Sequence, residues 1–219
     1  VAINYNASAD AAEKVAATIK EKYPSVKVFT IQADMATESE VVRLVEEATT
    51  ELGGLDIIIS NAGYTRFSSI PDLHATTADD WDKCYAVNVK AQNYLLRTAL
   101  PTFHANPQGG ALIMTSSIAG SALSGSSLPY CVTKAAQLQI MRVMAASQGP
   151  KVRINAVLPG LLLTEWGRKY PQEAIDAINE RAALKKETDL WDCAEAFVDI
   201  ARNSSMTGQK IVVDAGIHI

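Results

Sequence analysis

Apolar and polar positions along this chain alternate between two periods. Short runs rich in β-branched residues end in Gly, Pro, Asn or Asp, and each gives way to a longer stretch with apolar residues three and four apart. Residues 1–5 form the first such run. Asp10 with Glu13 has capping-box spacing and opens a helix carrying Ala12, Val15, Ala16 and Ile19, which Pro24 stops. Residues 26–31 predict a strand ending near Asp34, and Thr37 with Glu40 caps a second helix through Val41, Leu44, Val45 and Ala48. After Gly53-Gly54, residues 55–59 are almost continuously apolar, as expected of a strand buried on both faces. Beyond a polar stretch, Thr77 with Asp80 starts a long helix through Trp81, Tyr85, Asn88, Ala91 and Leu95. Residues 111–115 read as a strand and 116–128 as a Ser- and Gly-rich loop. Pro129 then suits the first turn of a helix reaching about Ser147. A strand at 152–157 closes on Pro159-Gly160. Residues 161–189 are irregular or helical, 191–201 form a helix and 210–213 a last strand.

Strand–helix alternation over the whole length predicts a doubly wound α/β fold, a single domain over 1–219 whose parallel sheet is flanked by helices. In such folds ligands sit outside the carboxyl ends of the strands. Asp34, Asn61-Ala62-Gly63, Ser116-Ser117 and Pro159-Gly160 all follow strand ends, so one rim should gather them. Composition leaves this picture intact: 48% hydrophobic and 20% charged residues, with 12 Gly and 8 Pro, is ordinary globular usage. A net charge of −4 gives no footprint for nucleic acid. No apolar run of about 18 residues or more points to a membrane span. The three cysteines, Cys84, Cys131 and Cys193, are far apart and unaccompanied by ligand-spaced histidines. They point to free thiols in a reducing, cytoplasmic compartment and to no metal site.

The candidate chemistry lies in Tyr130-Cys131-Val132-Thr133-Lys134. Residues four apart on a helix share a face, and a phenol of pKa near 10 is a poor acid or base until its anion is stabilised. An ammonium at about 4 Å and an effective dielectric of about 20 supplies roughly 4 kcal/mol, or about 3 pK units. The same spacing also occurs on plain solvated helix faces. Ser117 stands thirteen residues before Tyr130 at a strand end, where its hydroxyl could hold a carbonyl oxygen or simply form a turn. Asn61 reads equally as a turn residue. Asn88, between Val87 and Val89 within a helix, needs a partner for its amide.

Taken together and in this order, these residues resemble the short-chain dehydrogenase/reductases from Val1 to the C-terminus. Asp34 matches the acidic residue beside the adenine. Ser60-Asn61-Ala62-Gly63 matches Asn-Asn-Ala-Gly with its first Asn replaced, and Asn88, Ser117, Tyr130 and Lys134 match the catalytic tetrad. Pro159-Gly160 with Leu162 and Thr164 matches the segment that holds the nicotinamide carboxamide. The resemblance implies hydride transfer between a nicotinamide cofactor and a small carbonyl or secondary alcohol. Tyr130 would be the general acid or base, Lys134 would lower its pKa and bind the ribose, Ser117 would polarise the substrate oxygen, and Asn88 would anchor a water beyond Lys134. Cofactor contacts are expected at Asn6, Asp34, Met35, Asn61, Ala62, Gly63, Tyr130, Lys134, Pro159, Gly160, Leu162 and Thr164. The first strand end, Asn4-Tyr5-Asn6-Ala7-Ser8, has no carboxylate before Asp10, which favours NADP(H) over NAD(H). Residues 161–189, with Trp166 and Tyr170, resemble the substrate lid. A homodimer or homotetramer built on the helices near 78–100 and 130–147 is the family's pattern.

One part of that pattern is missing. No glycine precedes Gly53, so the family's first strand and Thr-Gly-x-x-x-Gly-x-Gly phosphate loop have no match. The expectation is that about thirty residues of strand, loop and helix precede Val1 in the natural protein. The alternative is a non-catalytic binding or interaction protein on the same scaffold. Without the loop, a loss of about 5 kcal/mol would weaken cofactor binding by three to four decades.

Overall fold

The computed structural model describes residues 1–219. Its elements run β1 (Ala2–Tyr5), α1 (Ala9–Lys22), β2 (Phe29–Gln32), α2 (Glu38–Leu52), β3 (Ile57–Ser60), α3 (Ala78–Tyr85), α4 (Ala91–Ala105), β4 (Gly110–Thr115), α5 (Leu128–Gln148), β5 (Val152–Pro159), α6 (Gln172–Arg181), α7 (Leu190–Arg202) and β6 (Lys210–Val213). All strand pairs are parallel, in the orders β1-β2 and β3-β4-β5-β6. This is a Rossmann-like α/β architecture. β1 and β3 each keep one edge without a strand partner, so the sheet is divided between them.

Alternation along β4 and β5 builds two apolar layers. Leu112, Met114, Ile154, Ala156 and Leu158 point to the main core, where they meet Val41, Leu44 and Val45 of α2, Leu95 and Phe103 of α4, and Met141 and Met144 of α5. Ile113 and Val157 point the other way, to a smaller cluster with Cys193 and Ile200 of α7. Both faces of the central strands are therefore dry, which is why their sequences are apolar without alternation. The expectation that β3 is equally buried is corrected: Ile58 packs on the main core, but Ile57 and Ile59 are 43% and 51% exposed because no helix covers their face.

Two of the three expected capping boxes do not form. α1 is preceded by Ser8, with no side-chain cap, and Glu13 instead accepts from the Thr30 hydroxyl at 2.6 Å. At α2, Thr37 is the N-cap, but Glu40 reaches past it to accept from the Asp34 N–H at 2.8 Å, fastening the turn after β2. The box at α3 is complete, and its Asp80 also pairs with Arg66 at 2.8 Å. The expected long helix from residue 78 is interrupted by a π-helical turn at Ala86–Lys90, between α3 and α4. No helix is long and apolar enough to cross a membrane.

Candidate active site

Tyr130 and Lys134 occupy the first two turns of α5. The Ser127 hydroxyl caps that helix by accepting from the Tyr130 N–H at 3.3 Å, and Pro129 costs no hydrogen bond in the first turn. Lys134 is only 2% exposed. Its ammonium donates to the Thr115 carbonyl at the end of β4 (2.7 Å) and to Oε1 of Gln137 (3.3 Å), and it stands 5.5 Å from the centre of the Tyr130 ring. The turn after β4 presses against the helix here. A Cβ on Gly120 would come within 2.8 Å of the Lys134 carbonyl carbon, so only glycine allows this approach.

Ser117 lies at the mouth of β4. Its oxygen accepts from the Ala119 N–H at 3.1 Å, which starts one turn of 3-10 helix and leaves the hydroxyl hydrogen free to donate. Asn88 sits in the π-turn, fully buried. Its Oδ1 accepts from the Tyr64 N–H at 2.8 Å, while Nδ2 donates to the Tyr64 carbonyl (3.0 Å) and to the Thr133 hydroxyl (2.9 Å). These bonds tie the loop after β3 to α5, one residue before Lys134. Both amide hydrogens are used, so the side chain acts as a clamp and is not presented to the cavity. The extra residue of a π-turn, frequent at functional sites, is what aims it inward.

A cavity of about 590 Å³ opens on this rim. Ser117, Tyr130 and Lys134 line it, with Asn61 and Gly63 from the loop after β3. Pro159, Gly160, Leu162 and Thr164 line it from the segment after β5. Its outer wall is Trp166, Tyr170 and α6. Four expected cofactor residues lie elsewhere. Ala62 packs on the main core, and the Met35 side chain is buried in that core. Asp34 accepts from the Ala36 N–H (2.9 Å), and the Asn6 carbonyl accepts from Gln32 (2.9 Å), both at the β1–β2 section of the rim.

Comparison with known proteins accords with this geometry. A family model described as enoyl-(acyl carrier protein) reductase matches residues 1–218. A Streptomyces violaceoruber chain named as ketoacyl reductase 2 of the granaticin polyketide synthase is 33% identical over 221 residues, covering 100% of this chain and 86% of that one. Meso-2,3-butanediol dehydrogenase of Serratia marcescens is 30% identical, covering 94% of this chain and 80% of its own length. The crystal structure of a short-chain dehydrogenase from Burkholderia cenocepacia in complex with NADP superposes with a TM-score of 0.89 at 29% identity, covering 99% of this chain and 86% of that one. The chain is a short-chain dehydrogenase/reductase. It is thereby an oxidoreductase.

For a short-chain dehydrogenase/reductase the electrostatics of the site carry one correction. The resemblance implies that Lys134 lowers the Tyr130 pKa. Here burial dominates and pushes the phenol well above its ordinary range, with the Ser117 hydroxyl as the main opposing influence. Burial also brings Lys134 down to about 7. The reason is geometric: the ammonium is turned to the Thr115 carbonyl and Gln137, not to the phenol oxygen. At neutral pH the phenol keeps its proton. Desolvation raises Tyr170 as well, opposed by Ser126.

The residues present fit a nicotinamide cofactor. Lys134, Asn61 and Thr164 give the cavity polar lining, and Gly63 leaves open approach, its missing Cβ lying 3.6 Å from Asn88 Oδ1 and 3.8 Å from Lys134 Nζ. Sequence reading missed Phe67, whose ring meets Tyr170 edge-on at 5.1 Å and Trp166 at 6.2 Å, with Trp166 in turn 5.8 Å from the Tyr130 ring. A phenylalanine within a polar stretch was the available signal. It also missed Tyr64, Thr133 and Gln137, which have no motif of their own.

Proposed function

We propose that this short-chain dehydrogenase/reductase interconverts a small carbonyl compound and its secondary alcohol, with NADP(H) as the hydride partner and Tyr130 as general acid and base. The observation that carries this reading is the convergence of Ser117, Tyr130 and Lys134 on one cavity, with Asn88 bracing the wall behind them. When bound, the nicotinamide supplies or accepts the hydride. Ser117 donates its free hydroxyl hydrogen to the substrate oxygen, and Tyr130, protonated at neutral pH, delivers a proton to the same atom in the reductive direction. Lys134 directs its remaining N–H into the cavity, where it would hold the cofactor's ribose. In the oxidative direction Tyr130 must first lose its proton, so oxidation accelerates as pH rises while reduction does not.

Several features support the finer points. β1 ends in a turn without a carboxylate, and the hydroxyl of Ser8 makes no cap bond at the start of the 14-residue helix α1. A 2′-phosphate suits such a helix start. No carboxylate lines the cavity, and Trp166, Tyr170 and Leu162 make its wall apolar, in keeping with an apolar or ring-bearing substrate. Residues 161–189 form the cover of this single-domain enzyme. Tyr85, Val132 and Val143 are exposed on α3 and α5, a surface suited to a second copy, and sedimentation equilibrium should give a dimer or tetramer mass.

Ketone-dependent consumption of NADPH tests the reading. Consumption matched by alcohol formation, with a higher kcat/KM for NADPH than NADH, is expected. No consumption across apolar and aromatic ketones would overturn it.

A further inference from the structure

Two glutamines behind the catalytic face have no place in the expected tetrad. Gln92 on α4 and Gln137 on α5 are each fully buried, in positions where a leucine would fill the same space without a polar atom to satisfy. Gln137 Oε1 accepts from the Lys134 ammonium at 3.3 Å, and Gln92 Nε2 lies 3.5 Å from the Asn88 carbonyl. These contacts fix how each amide is turned, because rotating either one would set donor against donor or acceptor against acceptor. What remains is complementary: a buried donor, Nε2 of Gln137, and a buried acceptor, Oε1 of Gln92, each without a partner.

The topology brings the two together. β3, β4 and β5 are adjacent and parallel, and α4 and α5 both pack on the same face of the sheet, so the two helices run in the same direction. Asn88 bonds Thr133 at one level, and Gln92 and Gln137 each lie four residues further on. By this register they fall at one level, a turn along, and no hydrogen bond joins their side chains directly.

We propose that Gln137 is a positioning residue for Lys134, and that Gln92 holds the Gln137 amide in place through one buried water. Thr115 and Gln137 fix two of the three N–H directions of the ammonium, which leaves the third for the cavity. The purpose given to Lys134 rests on the function proposed above; the contact itself does not. The titratable groups facing Lys134 are Tyr130 on its own helix and Cys84 from α3, whose thiol burial pushes up to about 11. Asp80, beside Cys84, is paired with Arg66, and no carboxylate pairs with Lys134. Gln137 is thus the one side chain that accepts from its charge.

The test follows Lys134 itself, by NMR titration of the full chain labelled at lysine Cε, alongside the pH profile of kcat. Gln137→Leu should lower the Lys134 titration by about one unit, the worth of one hydrogen bond to a charged group. Gln137→Glu, which keeps shape and polarity if the leucine variant fails to fold, should raise it. Gln92→Leu should shift it in the same direction as Gln137→Leu by less, and the corresponding limb of the kcat profile should move with each. A Lys134 titration unchanged in both Gln137→Leu and Gln137→Glu overturns the proposal. Because NMR reads the lysine without turnover, an inactive wild type would sink the functional reading alone, whereas an active enzyme with an unmoved lysine would sink this one alone.

Discussion

The floor and the cover of the cavity are held by different forces. On the floor, Asn88, Thr133, Lys134 and the Thr115 carbonyl form buried polar contacts between elements distant in sequence, and each bond has a fixed direction. The cover, from Leu161 to Thr188, is held by the rings of Phe67, Trp166 and Tyr170 and by a few backbone bonds, such as those from the Ala183 and Leu184 N–H groups to the Gly216 and Ala215 carbonyls. Aromatic contacts tolerate sliding, whereas a buried amide with a missing partner does not. The contrast gives the site a rigid polar floor under an apolar cover that can adjust.

Substitutions on each side should sharpen that contrast. Lys134→Met, on the floor, should have the largest effect. The unfolded chain keeps a proton on Lys134 up to the ordinary lysine range, while the folded protein releases it near 7. Between those values the unfolded state binds more protons, so stability should rise by a few kcal/mol from pH 7 to pH 10. Denaturant melts at several pH values should show this rise in the wild type and a flatter profile in Lys134→Met. Asn88→Ala should cost about 3 kcal/mol, because it strands the Tyr64 N–H and carbonyl and the Thr133 hydroxyl together. Loss below about 1 kcal/mol in urea titration would mean the clamp is not rigid. Trp166→Ala, on the cover, should change stability by about 1 kcal/mol or less while raising KM several-fold and leaving kcat nearly constant. A kcat that collapses with Trp166 would erase the distinction between floor and cover.

The same division governs what could be read in the sequence. The apolar runs of β4 and β5 and the spacing of Tyr130 and Lys134 are local patterns, and the structure shows those strands and that shared face. Asn88 was legible as a residue in need of a partner, but Tyr64 and Thr133 are set by tertiary packing and carry no periodic signal. The capping boxes at α1 and α2 failed because Glu13 and Glu40 found partners across the sheet and the strand-end turn, a competition that spacing alone does not contain. The expectation for the Tyr130 pKa failed for a related reason. It counted the charge beside the phenol but not the burial of both groups, nor the carbonyl that turns the ammonium away.

The most direct test of the central claim is Tyr130→Phe, which removes one oxygen from a ring already packed against Trp166. Cofactor affinity by fluorescence titration and ketone turnover should be measured on the same preparation. The account predicts unchanged NADPH binding and a fall in kcat of about 10³-fold, the worth of a positioned general acid. Turnover within a few-fold of the wild type would contradict it.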